Sequence, residues 1–256
     1  MAKAYTREEI LEKCMVACEE KVESLYSQPF INYRGQTKEV CGSGREFYTE
    51  IIAKYILDNI HLLDNIGEKS REGSYTNNTH LGYYDSSSNR QEEHIAMDLV
   101  RQCATEQFPS IGKIVDYQIP LKSQHVDAEQ NEGLGKIDLL AVNTSKRIVY
   151  ILELKRPKAL GDKFTEETML RCVLESETYR RIVDKKKLLK DFSVLVGADL
   201  SDYEVKAAPI VFYGCGQYKE MQGGHPELYK LMEVLDIHPF YIKWDDVNQK
   251  YIEIIE

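Results

Sequence analysis

Two neighbouring stretches decide the fold: residues 135–142 read GKIDLLAV and residues 148–155 read IVYILELK. Both are apolar at alternate and intervening positions, a pattern typical of strands that are buried on both faces. The first stretch nevertheless carries Asp138, and the second carries Glu153 and Lys155. An isolated buried carboxylate is costly in lost hydration unless it is paired or holds a metal ion. These three side chains therefore need partners.

The pairing of the two strands predicts where these side chains lie. Side chains alternate along a strand, so Glu153 and Lys155 point to the same face. With a two-residue turn at 145–146, Asp138 lies opposite Glu153, with Cβ atoms about 4.5–5.5 Å apart. A three-residue turn without a bulge would place the two carboxylates on opposite faces. Two carboxylates this close repel unless a divalent cation lies between them, and we expect Mg²⁺, with Mn²⁺ as a substitute.

The order of elements around these strands predicts the fold class. Helical and extended spacing of apolar residues predicts a helix beginning after Asn89, strands at 113–121, 136–143 and 147–155, a helix at 163–190, and extended runs at 193–197 and 209–214. This order predicts an α/β protein with a sheet flanked by helices. A final β-hairpin is predicted from 240–244 and 251–255.

The N-terminal part is predicted to be a helical extension. Thr6 and Glu9 have the spacing of a capping box ahead of a helix at 6–27, and a second helix follows at 45–63. The composition then shifts to Gly, Ser, Asn, Thr and Tyr, which predicts a loop or linker. The chain is thus divided into three parts, 1–66, 67–89 and 90–256. If the protein is a homodimer, we expect the N-terminal helices to form the contact.

Asp138, followed fifteen residues later by Glu153-Leu154-Lys155, resembles the signature of PD-(D/E)XK nucleases. The resemblance implies a restriction-endonuclease-like core with the order helix, strand, strand, strand, helix, strand, along which residues 90–214 can be laid. It also implies phosphodiester hydrolysis with Mg²⁺ bound by Asp138, Glu153 and the Leu154 carbonyl, while Lys155 positions or helps to deprotonate the attacking water. Ile137 stands where the family signature has proline, a substitution that the family commonly accepts.

The resemblance further implies an acidic residue on the helix before the sheet, where Glu92 and Glu93 compete. On a helical wheel Glu92 falls near the centre of the apolar stripe and Glu93 about a quarter-turn away, so Glu92 is favoured as a metal ligand or as a group orienting a metal-bound water. Both could instead be solvated acids near a helix N-terminus. On the following helix the exonuclease branch often carries Gln and Tyr one turn apart. Glu175 and Tyr179 stand there, and Tyr179 is predicted to be a core or surface residue.

The composition restricts the partners and the location. A formal net charge of −9 argues against non-specific coating of nucleic acid, which depends on neutralising many phosphates. The basic strip at 185–187 could still meet phosphate, or could be a solvated helix end. Apolar runs are far shorter than the ~20 residues of a membrane span, so we expect a cytoplasmic protein with no membrane contact.

The expected function is a metal-dependent nuclease that acts on nucleic acid, with DNA favoured over RNA. One alternative is a catalytically inactive module of the same fold that acts in nucleic-acid binding or as a protein scaffold. The full acidic set argues against it, because an inactive site has no need of uncompensated buried acids. Another alternative is a structural interaction protein in which residues 1–66 pair with a second subunit.

Overall fold

A six-stranded mixed sheet forms the centre of the protein, whose structure is a computed structural model that describes residues 4–40, 44–76, 90–122, 135–158 and 166–255. The strands are β1 (Lys113–Pro120), β2 (Lys136–Asn143), β3 (Ile148–Lys155), β4 (Glu204–Phe212), β5 (Phe240–Asp245) and β6 (Lys250–Ile254). They lie side by side in sequence order. Pairing is antiparallel from β1 to β3, parallel from β3 to β5, and antiparallel between β5 and β6.

Helices flank this sheet, as the sequence predicts for an α/β protein. They are α1 (Arg7–Lys21), α2 (Tyr48–Asp58), α3 (Gln91–Gln102), α4 (Met169–Ile182), α5 (Lys185–Val196), α6 (Gly216–Met221) and α7 (Pro226–Leu235). The helices α6 and α7 were not predicted. Short 3₁₀ turns lie at Val22–Ser27, Pro29–Asn32 and Ile60–Asn65.

The capping box predicted for α1 is confirmed. The Glu9 N–H donates to the Thr6 hydroxyl at 3.0 Å, and the Thr6 N–H donates to the Glu9 carboxylate at 2.8 Å. The helix ends earlier than the predicted residue 27. Lys21 has a φ of −166°, outside the helical region, and the chain continues as a 3₁₀ turn.

The two strands that carry the charged residues are as deeply buried as the sequence indicates. In β2 every residue except Lys136 and Asp138 is buried, and in β3 every residue except Ile148 is. Such strands require cover on both faces of the sheet. The confirmed bounds of β2 and β3 fix the positions from which the candidate site is built.

The segment after β3 differs from the prediction in two ways. The predicted single helix at 163–190 is two helices, because the backbone is extended at Val183 and Asp184 caps the new helix α5 through the Lys187 N–H. The predicted extended run at 193–197 is wrong, since α5 continues to Val196. Its apolar residues reflect helical amphipathicity: Phe192 is buried, whereas Val194 is 83% exposed.

The last strand of the predicted core is longer than expected. The predicted run begins at Pro209, a residue that lacks the N–H that a sheet ladder needs. The structure begins β4 at Glu204 and keeps Pro209 inside the strand, opposite Glu153. Parallel pairing to β3 then continues to Val211, level with Lys155.

The predicted N-terminal extension shares its core with the sheet. Buried residues of α1 and α2, such as Ile10 and Ile52, belong to the same hydrophobic cluster as Ile151 of β3. Helix α2 packs against α7, and the Val22–Ser27 turn packs against α4. Of the predicted linker, residues 67–76 are described and lie against α4 and α5, while 77–89 lie outside the described residues. None of the helices in the described ranges has the length and apolar character needed to cross a membrane.

Candidate active site

The observed strand register brings the two predicted carboxylates to the same place. Leu139 pairs with Leu152 and Asn143 with Ile148, so one further step in this register sets Asp138 opposite Glu153. This is the predicted register. The connection is four residues long (144–147), rather than a two-residue turn. Its last residue, Arg147, has a left-handed backbone conformation with a φ of +56°.

A cavity of about 490 Å³ opens over this pair. The predicted site residues Glu92, Asp138, Glu153 and Lys155 all line it. The walls also carry side chains that the prediction gave no role, namely Gln118, Lys122, Lys136, Glu175 and Tyr179. The fold therefore gathers the four acidic and basic side chains singled out in the sequence around one space.

The Asp138 carboxylate is held by fixed hydrogen bonds. Its Oδ2 accepts from the Leu154 N–H at 3.0 Å, and its Oδ1 accepts from Gln118 Nε2 at 3.2 Å. Burial raises the pKa of Asp138 to about 7, with Lys155 lowering it and Glu92 adding to the rise. The carboxyl therefore changes charge near neutral pH in the absence of a cation.

Only one of the two Glu153 carboxylate oxygens has a hydrogen-bond partner among the described residues. The side chain is buried, and its Oε1 accepts from Lys155 Nζ at 2.5 Å. Its Oε2 is buried and has no hydrogen-bond partner among the described residues. Burial, and then the charge of Asp138, raises the pKa of Glu153 well above its ordinary value. A proton or a cation would relieve the cost of this unpartnered oxygen.

Lys155 sits among carboxylates. Its Nζ lies 2.5 Å from Glu153, 2.8 Å from Glu167 and 3.4 Å from Glu175. Burial alone lowers the pKa of a lysine, but Glu153, Glu175 and Asp138 together raise the pKa of Lys155 well above its ordinary value. The side chain is therefore an ammonium ion at neutral pH, held 9% exposed at the edge of the cavity.

The helix α3 presents Glu92, and not Glu93, to the cavity. Glu92 Oε1 accepts from the Arg156 N–H at 3.0 Å, directly after β3. Glu93 instead lies 3.3 Å from Arg90, the residue directly before the helix. The helical phase read from the apolar stripe is therefore confirmed, and Glu92 also fixes the exit of the strand that carries Glu153.

Helix α4 adds a carboxylate and a tyrosine. Glu175 is buried, and its Oε1 accepts from the Tyr179 hydroxyl at 3.1 Å. Tyr179 is 4% exposed, in keeping with the prediction of a core residue, and it also lines the cavity. Two cations lie within 4 Å of the Glu175 carboxylate. Arg171 is present at 3.8 Å, but Lys155 is closer.

The sequence predicts no role for Glu167, which contacts Lys155 in the structure. It lies one residue before Thr168, whose side chain caps α4 by accepting from the Arg171 N–H. A residue outside the helix shows no periodic signal. Only the packing of α4 against the sheet brings Glu167 to Lys155.

The residues present fit a hard divalent cation. Mg²⁺ takes oxygen ligands and is often held by one or two carboxylates with water and phosphate completing the shell. Asp138, Glu153 and Glu92 offer carboxylates, and Leu154 offers a peptide carbonyl. The unpartnered Glu153 Oε2 is the clearest free ligand atom. Within the described ranges, no group of three or more His, Cys, Asp or Glu side chains is arranged to hold a metal ion, so the set would be completed by the carbonyl and by water.

Known proteins give no guide here. No protein-family model, curated protein or solved structure matches the chain significantly. What the protein does has to be inferred from the cavity itself.

Proposed function

We propose that the protein is a Mg²⁺-dependent nuclease with a site of the PD-(D/E)XK type. One observation carries the proposal: Asp138, Glu153 and Lys155, from two paired strands, converge on a single cavity in which a buried Glu153 oxygen lacks a hydrogen-bond partner. The element order supports it. Helix α3, the antiparallel strands β1 to β3, the helices α4 and α5, and the parallel strand β4 follow the order of the restriction-endonuclease-like core.

The carboxylates Asp138 and Glu153 and the Leu154 carbonyl are the groups that would hold the ion, and Glu92 would bind a second ion or orient a metal-bound water. Mg²⁺ bound there supplies polarisation of the scissile phosphate and a bound water of lowered pKa. The Leu154 N–H fixes Asp138 before any ligand arrives, so little reorganisation is needed on binding.

Lys155 is suited to act on the attacking water and on the phosphate. In the metal-free protein its ammonium group is held by Glu153, Glu167 and Glu175. If Glu153 bound a cation, that carboxylate would attract Lys155 less strongly, and Nζ could donate towards the water or a phosphate oxygen. Its positive charge offsets the negative charge that develops on the phosphoryl oxygens.

The proposal is tested by incubating the protein with linear and circular forms of DNA and RNA, in Mg²⁺ or in EDTA. Cleavage in Mg²⁺ that disappears in EDTA is the expected result, and cleavage of the circles separates internal from terminal attack. If none of the four substrates is cleaved in Mg²⁺ or in Mn²⁺, the proposed nuclease activity is wrong.

A second candidate function is an inactive module that binds nucleic acid or acts as a scaffold. It is favoured by the same ion cluster, because Lys155 already lies within 4 Å of three carboxylates without a metal. Calorimetric titration with Mn²⁺ separates the two. A nuclease site takes up the ion, whereas a purely structural cluster does not.

A further inference from the structure

A second cavity, of about 600 Å³, opens beside the first at the carboxyl ends of β3 and β4. Pro157 and Lys158, which follow β3, form one wall, and residues 213–216, which follow β4, form another. Lys155 lines the first cavity and Pro157 the second, so at most roughly 7 Å of extended backbone separates them. Ligands of α/β sheets commonly bind at this edge of the strands.

Glu167 links the two cavities directly. Its carboxylate lies 2.8 Å from Lys155 Nζ in the first cavity. Its backbone carbonyl accepts a hydrogen bond from Arg34, which lines the second. Glu167 therefore contacts one lining residue of each cavity.

Three basic side chains line the second cavity: Arg34, Lys158 and Lys219. All three are exposed, and none forms an ion pair within 4 Å with a residue of the described chain. A chain of net charge −9 has abundant carboxylates to pair with its cations. A cluster of three cations without ion pairs in one cavity therefore favours an anionic ligand.

The two carboxylates of this cavity are already engaged by the backbone. Glu166 Oε1 accepts from the Lys158 N–H at 3.2 Å and the Gly216 N–H at 3.3 Å, and Glu220 Oε2 accepts from the Met169 N–H at 2.9 Å. A Cβ at Gly216 would lie 2.4 Å from Glu166 and 2.7 Å from Arg34, so a side chain at this position would displace the ends of both. The cavity is thus mixed in charge: Arg34 donates to the Glu167 carbonyl and its charge acts on Glu220, whereas Lys158 and Lys219 form no ion pair with a described residue.

Two aromatic rings complete the lining. Phe47 is 36% and Tyr213 is 47% exposed, and each ring packs against one neighbouring ring, His225 and Tyr218 respectively. Exposed rings next to basic side chains are the usual means of binding unpaired nucleic acid, with bases stacked on the rings and phosphates on the cations. The cavity volume also lies within the usual range of roughly 300–1,000 Å³ for small-ligand sites.

We propose that this second cavity binds an unpaired nucleotide of the substrate strand, adjacent to the phosphate held over Asp138 and Glu153. This inference rests on the proposed nuclease function and assigns single-stranded or frayed nucleic acid as its substrate. A base within a duplex is stacked and paired, and it has to be extruded before its face can reach an aromatic ring. A single strand presents its bases without that cost.

The test compares binding of a fluorescent ten-nucleotide single strand with that of a hairpin duplex, by anisotropy in EDTA. Lys158→Gln/Lys219→Gln removes two cavity cations, and Lys190→Gln/Lys243→Gln is the control, with the same change of net charge at exposed lysines outside the cavity. The cavity variant is expected to lose about tenfold in affinity for the single strand, as for the loss of phosphate contacts. The control variant should change the affinity for the single strand by less than about twofold. Tyr213→Leu, which keeps an apolar side chain, should also weaken binding.

The outcomes separate this inference from the nuclease proposal. If the wild type cleaves in Mg²⁺ but the cavity variant binds and cleaves single strands like the control, the nuclease stands and the cavity inference is wrong. Preference of the wild type for the duplex also overturns it. If no cleavage occurs but the cavity variant alone loses single-strand binding, the cavity binds nucleotides and the nuclease proposal fails. With both correct, the cavity variant raises KM for the single strand and leaves kcat nearly unchanged.

Discussion

At the scale of single residues, the candidate site gathers buried charges that its own side chains only partly balance. Asp138 and Glu153 face one another across two strands, and both have raised pKa values because they are buried beside other acids. Lys155 offsets part of this charge but leaves one Glu153 oxygen without a hydrogen bond. Such an arrangement costs stability in the folded protein and favours the uptake of a cation.

The pKa of Asp138 gives a prediction on stability. The pKa of this carboxyl is about 7 in the folded protein and about 3.9 in the unfolded chain. Its contribution to the free energy of unfolding is therefore fully present below about pH 3.9 and is lost as the pH rises through 7. In EDTA we therefore expect the melting temperature of the wild type to fall between pH 5 and 8. Asp138→Asn, which cannot ionise, should fall less steeply and be at least as stable at pH 8.

Urea or thermal unfolding of both proteins across this pH range measures the effect. A variant that is much less stable than the wild type at pH 8, yet still cleaves its substrate, would show that Asp138 has a structural role and no catalytic one.

Lys155 gives the second prediction. Lys155→Ala should lower the turnover rate about 10²–10⁴-fold, the usual contribution of a positioned proton-transfer group. Mn²⁺ affinity should stay similar or increase, because the ammonium competes with the cation for the same carboxylates. Single-turnover kinetics and calorimetric titration measure the two quantities, and a tenfold weaker Mn²⁺ affinity in the variant would contradict the assigned role.

At the scale of elements, α3 offers a matched pair of substitutions. Glu92→Gln removes a charge from the cavity, yet its amide oxygen can still accept from the Arg156 N–H, so the helix should keep its place. Glu93→Gln changes a side chain paired with Arg90 outside the cavity. The first should reduce the cleavage rate and the second should leave it nearly unchanged.

The cleavage rates of the two variants convert to free energy at ~1.4 kcal/mol per tenfold. An equal loss of cleavage rate in both variants, or a larger one in Glu93→Gln, would mean that Glu92 has only a structural role, through its hydrogen bond to the Arg156 N–H.

The elements also show what the sequence can predict. The bounds of β2 and β3, to within one residue, and the phase of α3 follow from local periodicity, which the burial of these segments enforces. The register also depends on the turn, which periodicity does not predict. The run at 193–197 is wrongly predicted as a strand because its apolar residues, at the end of the amphipathic helix α5, lie partly on the exposed side of that helix. Glu167 and Glu175 reach Lys155 only through the packing of α4 on the sheet, a long-range contact without a local pattern.

At the scale of the whole molecule, the N-terminal segment belongs to the core that supports the site. The Tyr26 hydroxyl lies 3.4 Å from that of Tyr179, whose ring lines the first cavity, and Arg34 lines the second. Helix α2 covers α7, and Ile52 is fully buried. Both the stability of the protein and its two cavities therefore depend on residues before the sheet.

Deletion of residues 1–66 should consequently abolish cooperative folding. The truncated protein would expose the apolar surfaces of α4 and α7 and is expected to aggregate or to be digested rapidly by protease. Circular dichroism melting and limited proteolysis, with the full chain as the control, provide the measurement. A truncated protein that melts cooperatively near the temperature of the full chain would show instead that residues 1–66 form a separable extension.

Across the molecule, the central claim is that the acids of β2 and β3 hold a divalent cation for phosphodiester cleavage. The most direct test is the cleavage rate as a function of Mg²⁺ concentration, for the wild type and for Glu153→Gln, with Glu204→Gln as an exposed control on β4. The wild type and the control should show the same saturable dependence on Mg²⁺, with no cleavage in EDTA, and Glu153→Gln should be inactive. Cleavage by the wild type that persists in EDTA, or a Glu153→Gln variant as active as the control, would contradict the metal site.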